Sequence, residues 1–307
     1  MNEKEEHMIL TPVYSLLSLN VLCGTWSDPL PIQRFKSQVT KIKHLQPDIV
    51  CLQEFNNPTV EYIFRTYLQQ HYDFHIHYVS ISEMFRRTII CVSIPIFLLW
   101  INKYIYYAFM SILFYPYVFN FIIGIQKTGN AIMTHKSIRK QIFNIDCKEF
   151  TYQYGDFLNM MRKRGYIDID IDDIIIRNTH LNHEDNNQNH HQMVECVQLK
   201  SPSILVGDFN SQVITPVMTH KFKDITKYLG NTYRQDNKYT KYFTKSKRID
   251  YIFSLDVTVF TAEKLDFDSD HDALFIEFCN DYKCDTNKLH NGTITAKKHH
   301  ILATDLE

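Results

Sequence analysis

The sequence lacks three features that would assign a class of protein directly. Its 33 basic residues balance 34 acidic ones, and the net charge of −1 excludes binding of nucleic acid through overall charge, although a local basic groove stays open. The 7 cysteines form no Cys-x-x-Cys pair, which favours free buried thiols in a reducing compartment over a disulfide framework or a zinc site. No signal-peptide core follows the first residues, so we expect an intracellular protein.

Polar side chains follow several apolar runs of the kind that form buried strands. The run 204–206 leads into a turn that places Asp208 and Asn210 two positions apart, where a carboxylate and a carboxamide can orient a hydrated cation and a phosphate oxygen. Asn20 ends another run. Glu54 follows a third, where a divalent cation would compensate its charge. Each of these residues alone is also compatible with an ordinary turn.

Histidines and carboxylates recur at the other predicted strand ends. His180 ends an apolar strand, where a histidine can protonate a leaving oxygen near neutral pH; a core histidine bonded to backbone is the alternative. Asp250 lies on a strand that follows the basic cluster 245–248. Asp270 directly precedes His271, an arrangement that suits a base held and charged by carboxylates.

One stretch lacks charge almost completely. Residues 89–125 contain a single charged residue, Lys103, and exceed the length of a membrane-spanning helix. A single crossing would separate Glu54 from Asp208 by the membrane, and two crossings need about 20 residues each. We therefore predict that residues 88–126 form a hydrophobic helical hairpin that dips into or lies in one leaflet. The alternative is a pair of core helices or strands in a larger fold.

Six short motifs at predicted strand ends occur in a fixed order. They are Asn20, Gln53-Glu54, Thr179-His180-Leu181, Gly207-Asp208-Phe209-Asn210, Arg248-Ile249-Asp250-Tyr251 and Ser269-Asp270-His271. The set resembles the endonuclease/exonuclease/phosphatase superfamily, which is similar to deoxyribonuclease I in fold. The resemblance implies a four-layered α/β sandwich, in which two packed, mostly antiparallel sheets are flanked by helices. It predicts a catalytic domain at 9–279, interrupted by the insert 88–126 and followed by a polar tail, 280–307.

The same resemblance implies Mg²⁺-dependent hydrolysis of a phosphoester, with Mn²⁺ as a substitute. It also implies which residues bind the metal, bind the substrate and catalyse the reaction. Metal ligation falls to Glu54, with Asn20 beside it and Asp270 as a further ligand. Substrate binding falls to Asn20 and Arg248. The implied catalytic residues are His180, Asp208, Asn210, Asp250, Asp270 and His271.

Within the catalytic set, the resemblance gives each residue a task. Asp208 and Asn210 orient the attacking water and the phosphate. His271 acts as base or phosphate clamp, supported by Asp250 or by its neighbour in sequence. His180 assists the leaving oxygen.

The substrate has two candidate classes. The Asn-Thr-His-Leu and Arg-Ile-Asp-Tyr motifs look like those of neutral sphingomyelinases, and a membrane-associated insert fits a phospholipid substrate. We therefore expect an intracellular, membrane-associated enzyme with its catalytic domain on the cytoplasmic face and no obligate protein partner. The alternative is a nuclease or a tyrosyl-DNA phosphodiesterase-like enzyme, favoured by the aromatic residues between the lysines of 238–248. A non-catalytic, membrane-anchored binding module would lack catalytic positions, and none is missing.

Overall fold

The structure is a computed structural model, and the residues that it describes are 12–22, 31–55, 58–77, 129–151, 164–182, 186–236, 239 and 245–280. The predicted hairpin at 88–126 and all but the first residue of the tail lie outside these ranges, and the domain limits stay predictions. Within the described ranges, no helix combines the length and the apolar composition that crossing a membrane requires.

The described residues form two six-stranded sheets. In chain order the strands are β1 (Tyr14–Asn20), β2 (Ile49–Gln53), β3 (Tyr72–His77), β4 (Asn130–His135), β5 (Ile142–Glu149), β6 (Gly165–Ile171), β7 (Ile174–His180), β8 (Ser203–Asp208), β9 (Lys223–Asp224), β10 (Asp250–Leu255), β11 (Val257–Leu265) and β12 (Ala273–Asn280). The first sheet has the order β11-β12-β1-β2-β4-β3 and the second β5-β6-β7-β8-β10-β9. Each contains one parallel pair, β1–β2 or β7–β8, among antiparallel neighbours.

Helices cover the outer faces of both sheets. They are α1 (Pro31–Leu45), α2 (Pro58–Leu68), α3 (Asn186–Cys196) and α4 (Pro216–Lys221), with a short 3-10 helix at Lys136–Gln141. In α1, Phe35, Val39 and Ile42 recur at helical spacing and pack with α2 on the first sheet. Met193 of α3 and Met218 of α4 belong to the core on the second sheet. The predicted four-layered sandwich is therefore confirmed.

The core between the sheets follows from strand geometry. Because successive side chains of a strand point to opposite faces, Leu16 of β1 packs between the sheets while Leu17 packs toward α1. Ile169 and Ile204 of the second sheet face Leu16 across this central core. Strands buried on both faces are nearly continuous apolar runs, which is why the sequence identifies them readily.

A buried polar group links the two sheets below the strand ends. Asn178 of β7 donates from Nδ2 to the carbonyl oxygens of Leu52 (3.0 Å) and Ala131 (2.9 Å) in the first sheet. Its Oδ1 accepts a hydrogen bond from Nε2 of Gln53 at 2.8 Å. Asn178 is fully buried, so these bonds are shielded from water and fix the end of β7 against the end of β2.

Of the four cysteines in the described ranges, two differ from the prediction of free, buried thiols. Cys279 is disulfide-bonded, whereas free thiols were expected throughout. Cys51 and Cys196 are free and buried as predicted, and Cys147 is free but exposed. Count and spacing do not determine which thiols the fold brings within bonding distance.

Candidate active site

The polar residues at the ends of several strands lie close together around Asp208. It ends β8 and stands in register with His180 at the end of parallel β7 and with Asp250 at the start of antiparallel β10. Asn20 ends β1 in the other sheet, and its Nδ2 donates to Oδ2 of Asp208 at 3.0 Å. The packed sheets thus bring together residues from four strands at one edge of the sandwich.

The carboxylate of Asp208 is buried and surrounded by potential donors. Its Oδ1 accepts the backbone N–H of Asn210 at 2.8 Å, and Nε2 of His180 lies 3.5 Å from its Oδ2. Burial and the negative charge of Asp250 raise the pKa of Asp208 to about 7, while the charge of His271 opposes the shift. A carboxylate with a pKa near neutrality can exchange a proton with a water molecule at physiological pH.

His271 forms a close pair with Asp250. Its Nδ1 lies 2.8 Å from Oδ2 of Asp250, and because a carboxylate only accepts, we assign the proton to Nδ1. Burial disfavours the charged imidazole, but the charges of Asp250 and Asp270 and this hydrogen bond raise the pKa of His271 well above its usual value. The other nitrogen, Nε2, lies 4.0 Å from Asp208 and 3.9 Å from Asp270. The imidazole thus points a donor toward the gap between two carboxylates.

Glu54 and Asp270 form a second acidic group beside this pair. Burial and then the charge of Asp270 raise the pKa of Glu54, while His271, Arg164 and a hydrogen bond from Asn20 lower it. Burial likewise raises the pKa of Asp270 against the opposing charge of His271. Glu54 has a φ of 57°, a left-handed conformation that costs a glutamate about 1 kcal/mol or more. Such strain, held by its surroundings, is typical of functional sites.

These side chains fit a divalent cation in two ways. Glu54 and Asp270 are nearby carboxylates whose negative charges repel each other, and a bound cation would relieve that repulsion. Their carboxylate oxygens are also the type of ligand that magnesium prefers. Asp208, Asp250 and His271 offer a second set, whose ligand atoms lie within 4.8 Å of one another. In this second set the hydrogen bond to Asp250 occupies Nδ1 of His271, so a cation would need Nε2 without its proton, whereas the raised pKa of His271 favours the protonated ring.

Two of the predicted site residues form hydrogen bonds to residues outside the cluster around Asp208. The guanidinium of Arg248 binds both carboxylate oxygens of Asp224, at 2.9 and 2.6 Å, and lies over the ring of Tyr251. None of these partners belongs to the cluster around Asp208, so substrate binding by Arg248 stays a prediction. Asn210 donates its side-chain amide to the carbonyl of Leu181 at 2.9 Å, which shapes the loop and leaves its Oδ1 for other contacts.

The sequence analysis missed a buried arginine behind the site. Arg34 in α1 donates to the carbonyl oxygens of Val21 and Leu22, which directly follow Asn20. Its charge lowers the pKa of Asp270. An arginine on the apolar face of an amphipathic helix is the signal that could have identified it, because such a residue is buried only with partners.

Comparisons with known proteins identify the family of this chain. Residues 17–271 match the family described as Endonuclease/Exonuclease/phosphatase family. The chain matches no curated protein significantly.

Solved structures share the fold at low sequence identity. D. rerio TDP2 complexed with single strand DNA product is 15% identical, with a TM-score of 0.58 over 87% of this chain and 98% of that one. Truncated Caenorhabditis elegans TDP2 is 18% identical, with a TM-score of 0.54 over 87% and 97%. An endonuclease/exonuclease/phosphatase family protein from Leptotrichia buccalis is 17% identical, with a TM-score of 0.55 over 86% and 98%.

Proposed function

The chain belongs to the endonuclease/exonuclease/phosphatase family and is a metal-dependent phosphoester hydrolase, and from this we propose that it cleaves phosphodiester bonds at nucleic-acid ends with Mg²⁺. The observation that carries the proposal is the buried Asp208, with His180, Asn20 and the His271–Asp250 pair around it. This arrangement offers a base, a positive charge and donors around one small volume, which is what attack of water on a phosphate requires.

Asp208 and His271 divide the work in this proposal. Asp208, with a pKa of about 7, accepts the proton of the attacking water. His271 is held protonated by Asp250 and donates from Nε2 to a phosphate oxygen, so it acts as a clamp more than as a base. His180, 3.5 Å from Asp208, donates to the leaving oxygen.

Glu54 and Asp270 are the proposed ligands of Mg²⁺, with Asn20 beside them. A metal held by these residues would supply Lewis-acid polarisation of the phosphoryl group and would neutralise charge that develops during hydrolysis. An all-oxygen ligand set also accepts Mn²⁺. Asn20 connects the metal site to the base, because it donates hydrogen bonds to Glu54 and to Asp208.

A nucleic-acid substrate is supported by two observations. A structural neighbour of this chain was solved with a single-strand DNA product. Within this chain, the ring of Tyr239 lies 5.7 Å from the guanidinium of Arg34, whose charge acts on Asp270. An aromatic ring and a cation beside the acidic cluster suit the stacking of a base next to its phosphate.

A phospholipid substrate is the second candidate, and the apolar stretch 89–125 favours it. In that case the insert 88–126 associates with a membrane, and the catalytic domain works on its cytoplasmic face. The insert then brings the site to the phosphate of a lipid headgroup, as in a sphingomyelinase-like enzyme. With a nucleic-acid substrate, the same insert would only tether the enzyme.

The full-length protein tests both candidates when it is offered single-stranded DNA, double-stranded DNA and liposomes containing sphingomyelin, each with Mg²⁺ or with a chelator. We expect Mg²⁺-dependent cleavage of DNA ends that disappears in an Asp208→Asn variant. Release of phosphocholine with uncleaved DNA would replace the nucleic-acid proposal by the phospholipid one. Cleavage of no phosphoester under any of these conditions would contradict both.

A further inference from the structure

The segment Thr232–Arg234, which no motif identified, contacts both members of the Asp250–His271 pair. The hydroxyl oxygen Oγ1 of Thr232 accepts backbone N–H groups from Ile249 at 3.2 Å and Asp250 at 3.1 Å. The carbonyl oxygen of Thr232 accepts the backbone N–H of Asp272 at 2.7 Å. Thr232 is fully buried, so one residue fixes the backbone beside Asp250 and beside His271 without competition from water.

Tyr233 packs directly on the imidazole. Its ring stands edge-on to the ring of His271, with centroids 5.3 Å apart and an interplanar angle of 76°. Its backbone exchanges hydrogen bonds with Lys247 at 2.9 and 2.8 Å, and it forms a β-bridge to His271. The ring therefore occupies one side of the imidazole and limits its rotation.

Arg234 extends the same contacts to the residue after His271. Its Nε lies 3.1 Å from Oδ2 of Asp272, a carboxylate that Lys264 also approaches at 3.4 Å. Asp272 is buried, so the two cations compensate its charge. The backbone that carries His271 is thus held on both sides.

The pair needs such support because its members belong to different sheets. Asp250 begins β10 in the second sheet, and His271 precedes β12 in the first. The ladder of the second sheet fixes Asp250, whereas His271 lies two residues before the ladder of β12, so the 2.8 Å contact between Nδ1 and Oδ2 depends on contacts that reach both residues. The segment Thr232–Arg234 makes such contacts.

We propose that Thr232 and Tyr233 are positioning residues, which hold Asp250 and His271 so that Nε2 of His271 faces the reacting phosphate. This inference rests on the phosphoester hydrolysis proposed above. Neither residue needs to touch substrate. A displacement of about 1 Å in a catalytic group can cost on the order of 100-fold in rate, so a small shift of the pair is enough to matter.

Matched substitutions separate positioning from folding. Thr232→Val keeps the shape and removes the hydroxyl, whereas Thr232→Ser keeps the hydroxyl. We expect Thr232→Val to lower kcat roughly 10- to 100-fold with little change in KM, and Thr232→Ser to stay close to wild type. Tyr233→Leu removes the aromatic ring and Tyr233→Phe keeps it. This second matched pair provides the test if Thr232→Val fails to fold.

The Nδ1 proton of His271 gives a readout that needs no substrate. Its downfield proton NMR resonance, assigned by its loss in His271→Gln, should move or vanish in Thr232→Val and Tyr233→Leu but persist in Thr232→Ser and Tyr233→Phe. If the first two variants melt at lower temperature yet keep the wild-type resonance and kcat, the segment is structural only and the inference fails. If wild type cleaves no phosphoester while the resonance responds as expected, the positioning stands and the proposed function fails.

Discussion

Nδ2 of Asn20 lies 3.0 Å from Oδ2 of Asp208, although 188 residues separate them in the chain. Asn20 ends a strand of the first sheet and Asp208 a strand of the second, so this hydrogen bond links the two sheets at the candidate active site. The same side chain donates to Glu54. One amide therefore holds the proposed base and the proposed metal ligand at a fixed separation.

Replacement of Asn20 by aspartate should move the pH dependence of hydrolysis. The new carboxylate adds negative charge beside Asp208, whose pKa of about 7 is already raised by burial and by Asp250. Because Asp208 works in its ionised form, the acidic limb of the pH–rate profile should shift to higher pH. An Asn144→Ala variant on exposed β5 serves as control and should keep the wild-type profile. An unshifted limb in Asn20→Asp would assign that limb to another group.

Replacement of Asp208 by asparagine should stabilise the metal-free fold at neutral and higher pH. The pKa of Asp208 is raised from 3.8 to about 7 in the folded state, so its contribution to stability is present below pH 3.8 and is lost as pH rises to about 7. An amide carries no charge at any pH. Urea unfolding in chelator should therefore show Asp208→Asn more stable by about 1–2 kcal/mol at pH 8, with the difference shrinking toward pH 4. A variant less stable at pH 8 than at pH 4, relative to wild type, would contradict the sign.

Asp250 and His271 should act as one unit in kinetics. Asp250 fixes the tautomer and the charge of His271 through the 2.8 Å hydrogen bond. We expect Asp250→Asn and His271→Gln each to lower kcat roughly 1000-fold, and the double variant to lose little more than His271→Gln alone. Circular dichroism confirms that the variants are folded. Losses that multiply in the double variant would mean that the two residues act independently.

Gly207 should tolerate no side chain. A Cβ at this position would lie 1.9 Å from the carbonyl oxygen of Thr179 on neighbouring β7, and its φ of 147° disfavours other residues. Gly207→Ala should push β8 away from β7, destabilise the fold by more than about 2 kcal/mol and reduce turnover, because Asp208 is the next residue. Gly230→Ala is the control: its φ is 76° but its Cβ meets no atom within 4 Å, so a cost of about 1 kcal/mol without loss of turnover is expected. Equal effects of the two substitutions would contradict this account.

The strand-end residues were predictable because their signal is local. A buried strand is an apolar run, and a polar residue at the end of such a run lies at the edge of the sheet. This pattern identified Asp208, His180 and Glu54. The choice of Asp250 over Asp270 as the partner of His271 was left open by the sequence. It depends on the register that sets Asp250 opposite Asp208, which no single segment encodes.

Contacts between distant irregular segments could not be predicted. Thr232 and Tyr233 lie outside any periodic run, and their importance arises from a bridge to a residue that lies 38 positions beyond Tyr233. Arg248 belongs to a basic cluster, but Asp224 supplies a bidentate partner for it in the folded chain. In these places tertiary contacts decide the role of a residue, and propensity or spacing carries little information about them.

The rate of DNA-end hydrolysis as a function of Mg²⁺ concentration, measured for wild type, Glu54→Gln and Asp208→Asn, separates the proposed metal ligand from the proposed base. Glu54→Gln weakens a proposed metal ligand, so its activity should need a higher Mg²⁺ concentration. Asp208→Asn removes the proposed base, so this variant should stay inactive at every Mg²⁺ concentration. Wild type should be inactive only in the presence of chelator. Turnover by Asp208→Asn, or wild-type turnover that persists in chelator, would contradict a metal-dependent hydrolase centred on Asp208.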